Sequence, residues 1–129
     1  MSAGVAAMGS VLTTDVLAEL NSRGDSLREK LNSLTREYNA RLCFTGAGSL
    51  IGMHGLASLP RSVEDCREAE DRVVELVFLD LLEKGYYIAR RGFISLMLPL
   101  DDSDLEGFTD AFTSILEERQ AVISGDSLA

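Results

Sequence analysis

The run from Glu83 to Phe108 limits the fold more than any other part of the chain, because it changes its structural period several times without a break. Gly85 closes an apolar helical stretch, Tyr86 to Ile88 is β-prone, and Arg91-Gly92 marks a turn. Phe93 to Leu98 then reads as a strand stopped by Pro99, which has no N–H to give a ladder. Ser103 and Glu106 have the spacing of a capping box, and Leu105, Phe108, Phe112, Ile115 and Leu116 stripe the helix that it opens. Helix end, strand, turn, strand and capped helix in so few residues require strands and helices to pack as layers.

The rest of the chain is consistent with that arrangement. Leu20, Gly24, Leu27, Leu31, Leu34 and Tyr38 recur at steps of three and four and so share one helix face, with Thr14 as the cap. Gly24 costs such a helix about 1 kcal/mol relative to Ala, which points to close packing or to a break; a break or kink is the expectation. Met1 to Leu12, rich in Ala, Gly and Ser, reads as a short helix in need of a partner surface. Arg41–Thr45 and Ser49–His54 read as two antiparallel strands linked by Gly46-Ala47-Gly48, and Gly55 to Arg61 as a loop. Ser62 and Asp65 offer a capping box for a helix running to Lys84. Its apolar run Val73–Leu82 is also compatible with a strand, but its length and charged flanks favour a helix. The expected fold class is α+β: a two-layer sandwich, a small antiparallel sheet of three to four strands covered by helices on one face. One domain spans 1–129, with a frayed tail at 124–129.

Composition excludes several classes of function. With 21 acidic and 12 basic side chains the net charge is -9, which repels nucleic acid and anionic membranes. No run approaches the about 18 apolar residues of a membrane span. Neither end carries the pattern of a secretory signal, and two cysteines make no disulfide framework, so a soluble protein of the reducing cytoplasm is expected.

Candidate chemistry is sparse. The Thr45–Ser49 segment could cradle a phosphate, but it lies between strands and opens no helix, which favours a plain turn. His54 is the one histidine and so the one catalytic acid or base candidate with an ordinary pKa near neutrality; a structural histidine is the competing reading. Cys43 reads as a buried thiol and Cys66 as an incidental one, with no metal spacing between them. Arg90 and Arg91 can present a guanidinium fork to a carboxylate, the alternative being a solvated turn tip.

The Glu83–Phe108 order, with the Phe44–His54 segment upstream, resembles the C-terminal small domain of class III pyridoxal-phosphate-dependent aminotransferases, nearest the glutamate-1-semialdehyde aminomutase branch. The resemblance implies that residues 1–12 form the helix connecting to a preceding large domain. It also implies a cofactor carried on a lysine of that domain. Lys30 and Lys84, the two lysines here, lie in charged helical settings unlike the family's cofactor site, so no cofactor is expected on this chain alone. In much of the family an arginine receiving the substrate carboxylate lies on the strand before a Pro-Leu pair, where this chain has Ser95. Ala89-Arg90-Arg91-Gly92 resembles β-amino-acid relatives, which implies that Arg91 takes over that role. Two functions follow as expectations. One is the substrate-side domain of an aminotransferase or aminomutase, incompetent alone and partnered by a lysine-bearing large domain or by self-association. The other is a cofactor-independent descendant that binds, isomerises or cyclises a carboxylated small molecule.

Overall fold

The computed structural model describes residues 1–124. Helix α1 (Ser2–Ala6) continues into one π-helical segment, Ala7–Val11, and none of these residues is buried. The chain then bends by 79° into α2 (Thr14–Glu37), capped by Thr13 rather than Thr14: the Thr13 hydroxyl accepts the Val16 N–H at 3.3 Å. The hairpin β1 (Cys43–Ala47) and β2 (Leu50–His54) follows, then α3 (Val63–Arg67), α4 (Asp71–Glu83), β3 (Phe93–Ser95), α5 (Asp102–Glu118) and α6 (Gln120–Ile123). Among the described residues the sheet has three antiparallel strands in the order β1-β2-β3. None of the described helices is by itself long and apolar enough to cross a membrane.

Alternation along the strands gives the sheet one buried face. Phe44, Ile51, Met53 and Ile94 point toward α2, α4 and α5, where they meet Leu27, Leu31, Val77, Leu81, Phe112 and Ile115. Phe44 and Phe112 pack edge to face with centroids 5.4 Å apart. Each such side chain, removed from water, contributes roughly 1.5 to 3 kcal/mol, so this layer supplies most of the driving force. The opposite face is open, with Leu50 and Phe93 each about half exposed.

Gly24 does not break α2. A Cβ there would lie 2.0 Å from the Gly48 carbonyl oxygen, so the missing side chain lets the hairpin turn sit directly on the helix. That turn is Gly48-Ser49, two residues later than the expected link, and Gly48 takes φ +57° at its first position as a tight hairpin requires. The outer edge of β1 is sealed by α2. Asn32 donates to the Phe44 carbonyl and accepts the Phe44 N–H, both at 2.8 Å, and Arg28 donates to the Gly46 carbonyl at 2.9 Å. Asp25 and Asn21 accept the N–H groups of Gly48 and Ser49.

Several expected boundaries are corrected. The Ser62–Asp65 capping box is present, but its helix stops at Arg67 and α4 begins afresh at Asp71. The Glu70 N–H is pulled out to the Gly55 carbonyl at 3.0 Å, where the Glu70 backbone packs on the bare Gly55 Cα. Strand β3 ends at Ser95 rather than Leu98, because its partner β2 begins at Leu50 and, past one last bond from the Leu96 N–H to the Ser49 carbonyl in the hairpin turn, offers nothing to pair with. Tyr86–Ile88 forms no strand: Ala89 and Phe93 close a tight turn, and Tyr86 packs on Phe108 instead. Helix α5 starts with Asp101 and Asp104 as its reciprocal capping pair, in place of Ser103 and Glu106, since the Asp101 carboxylate reaches the Asp104 N–H at 3.0 Å. Ser124, expected to fray, forms a bridge with Ala40, and the remaining tail lies outside the described residues.

Candidate functional site

Three of the four residues singled out for ligand chemistry converge on one cavity of about 320 Å³. Strand β2 ends at His54, the turn before β3 carries Arg90 and Arg91, α3 contributes Cys66, and the first turns of α4 add Asp71 and Glu75. Ser95 is not among the lining residues: it sits opposite Leu50 on β3, exposed, on the open face of the sheet.

The two arginines are not equivalent. Arg90 is ion-paired to Glu75 on α4, which neutralises it within the cavity wall. Arg91 is exposed and makes no ion pair with any described residue, so its guanidinium is the cation left for an incoming anion. They do not face opposite ways along an extended strand, as adjacent strand residues would, because both lie in the turn.

His54 is half-buried, with Nε2 2.7 Å from the Thr45 hydroxyl, and Gly52 between them leaves room for the contact. Burial pushes the ring's pKa below its ordinary 6.5. The unfolded ring therefore takes up a proton before the folded one does, so stability present above 6.5 is lost as the pH falls. Thermal melts through that range are expected to show this loss, and His54→Gln is expected to flatten it; parallel profiles for the two proteins would contradict the assignment. No carboxylate among the described residues bonds the ring, so the geometry favours a structural histidine at the cavity's edge over a catalytic one.

Cys43 is buried, donates to the Ser58 carbonyl at 3.4 Å, and has its thiol pushed up to about 11 by burial, which makes it inert at neutral pH. The Gly48-Ser49 turn offers no phosphate cradle, because Asp25 and Asn21 already hold its N–H groups. No group of three or more His, Cys, Asp or Glu among the described residues could hold a metal ion. The walls supplied by Cys66, Asp71 and Glu75 escaped sequence reasoning. The Glu75–Arg90 pair joins two elements, and no local spacing signals it.

No family model matches the chain. It is 34% identical over 123 residues to the β-phenylalanine transaminase of Variovorax paradoxus and 32% identical over 126 residues to an uncharacterized aminotransferase of Schizosaccharomyces pombe. Each match covers 95% of this chain but 28% of the relative, so the chain spans little more than a quarter of their length. The solved Variovorax enzyme superposes with a TM-score of 0.90 over 95% of this chain and 28% of that one. A glutamate-1-semialdehyde aminomutase of Pseudomonas aeruginosa, 16% identical, shares the fold with a TM-score of 0.78 over 88% of this chain and 25% of its own. The open-faced three-stranded sheet, the helices behind it and the extent of the match agree: over nearly its whole length the chain matches the small domain of a class III aminotransferase.

Proposed function

We propose that this chain forms the substrate side of an aminotransferase active site whose lysine comes from a large domain. The observation that carries the reading is the match to the β-phenylalanine transaminase over nearly the whole chain but only 28% of that protein. The residues present do not fit pyridoxal phosphate. The Lys84 ammonium is held by Glu118 at 2.9 Å and Ser114 at 3.2 Å. Lys30 lies in a shallow cavity between α2 and α5 whose lining holds no aromatic side chain to stack on a pyridine ring. The cofactor belongs to the assembled site, and the chain alone is not a competent aminotransferase. The exposed α1 segment is the connection to the large domain, and the setting is cytoplasmic. A cofactor-independent descendant gains no support from these likenesses.

Within this reading Arg91 receives the substrate carboxylate. Ser95 cannot form an ion pair, Arg90 is held by Glu75, and Arg91 is the guanidinium on the cavity that has no ion-pair partner among the described residues. A relative named for β-phenylalanine makes a β-amino acid the substrate class to test. In a chemical-shift titration the chain is expected to bind β-phenylalanine in preference to its carboxamide. Arg91→Lys keeps the charge, loses the bidentate fork, and is expected to weaken that binding roughly tenfold, within the range for hydrogen bonds to charged groups. Arg90→Lys is expected to leave it nearly unchanged. Equal losses at both positions, or none at Arg91, would return the pair to a solvated turn.

A further inference from the structure

A second cavity, of about 730 Å³, opens between α2, the start of β1 and the loop that leads from β2 to α3, and it shares no lining residue with the cavity beside Arg91. Its volume falls in the range of small-molecule sites, about 300 to 1,000 Å³. Thr35, Leu42 and Cys43 form a buried floor. Leu56, Leu59 and Pro60 of the loop add an apolar wall, on which Leu59 is 53% exposed. The two polar groups of the floor are already engaged: the Thr35 hydroxyl donates to the Asn32 carbonyl at 3.0 Å and the Cys43 thiol to the Ser58 carbonyl at 3.4 Å. The deep end therefore offers an apolar surface and no free donor.

The rim has the opposite character. Arg36 in the last turn of α2 and Arg61 just before the Ser62 cap are both exposed, and neither guanidinium makes an ion pair with a described residue. The two acidic residues of the lining do not cancel them. The Asp65 carboxylate is occupied by the N–H groups of Arg61 and Ser62 at 2.7 and 3.0 Å. Glu68 lies at the other end of α3 from Arg61, roughly 7.5 Å of helix away.

We propose that this cavity binds an organic carboxylate with an apolar body, its head on Arg36 and Arg61 and its body over Leu42, Leu56 and Leu59. A guanidinium matches a carboxylate with two parallel N–H donors, and burial of the body takes the exposed Leu59 side chain out of water. The cavity stands apart from the aminotransferase reading, so either can fail alone.

Octanoate serves as the probe, titrated into the chain while backbone amide shifts are followed. Shifts are expected at Leu42, at residues 56–59 and at Arg61. Octanol, the same body without the charge, is expected to bind roughly tenfold more weakly. Arg36→Gln and Arg61→Gln alter exposed side chains, so each is expected to keep the fold and to weaken octanoate about fivefold. Glu68→Gln is expected to leave binding unchanged or tighter, and Arg91→Lys to leave it unchanged. Absence of shifts at those amides overturns the proposal, as does octanol binding as well as octanoate. A site that tolerates either arginine substitution, or that Glu68→Gln or Arg91→Lys weakens as much, overturns it too.

Discussion

Gly24→Ala is expected to destabilise the chain by about 3 kcal/mol, the upper end of the usual range for overpacking. Helix propensity alone gives the opposite sign, a gain of about 1 kcal/mol for replacing a mid-helix glycine. Sterics decide the outcome, because the new Cβ would sit 2.0 Å from the Gly48 carbonyl oxygen and 2.9 Å from the Ser49 Cα. Both are backbone atoms, so nothing can rotate away and the hairpin must lift off α2. Doing so strains the bonds from Asn21 and Asp25 to the same turn. Gly4→Ala in α1, with open space around it, serves as the control and is expected to be neutral or slightly stabilising. Urea denaturation of the two variants checks the pair; a stable Gly24→Ala protein would mean that the helix and the turn are not in the contact described.

Arg119→Met is expected to destabilise the chain clearly more than removal of its partner does, because it leaves a buried carboxylate unpaired. Asp80 on α4 is buried, and Arg119 at the end of α5 grips its carboxylate through Nε at 2.8 Å and a terminal nitrogen at 2.9 Å. The two partners are not equally dispensable. The Asp80 side chain is 8% exposed and the Arg119 side chain 41% exposed. Removing the arginine strands a carboxylate away from water, whereas removing the carboxylate leaves a guanidinium that hydrates. Asp80→Leu is therefore expected to cost no more than about 1 kcal/mol. Equal losses in denaturant midpoints for the two variants would refute this asymmetry.

Where local spacing decides structure, the sequence was readable. The stripe from Leu27 to Leu34 and that from Leu105 to Leu116 lie on the faces that pack on the sheet, and the Ser62–Asp65 box opens α3 as read. The errors fall where a distant partner decides. Residues 96–98 have strand character but no strand to pair with once β2 has begun at Leu50. Gly24 reads as a helix breaker until the hairpin that needs its bare Cα is in place. The cavity was legible in the same partial way: His54, Arg90 and Arg91 carry recognisable chemistry, but Glu75, which neutralises one arginine and leaves the other free, lies on another helix. Ser95, singled out by analogy with an arginine position, lies on the open face of the sheet and not among the residues lining this cavity.

The sealing of β1 by α2 also acts as a guard against mispairing. A one-residue slip of the hairpin would turn Phe44 onto the open face and, in the same movement, break both bonds to Asn32 and those of Arg28, Asp25 and Asn21 to the turn. Alignment is thus checked twice, by an apolar side chain and by polar groups at a helical repeat, and a one-residue slip fails both checks. Because helix and hairpin are neighbours in the chain, this proofreading needs only short loop closures and can operate before the distant β3 and α5 arrive.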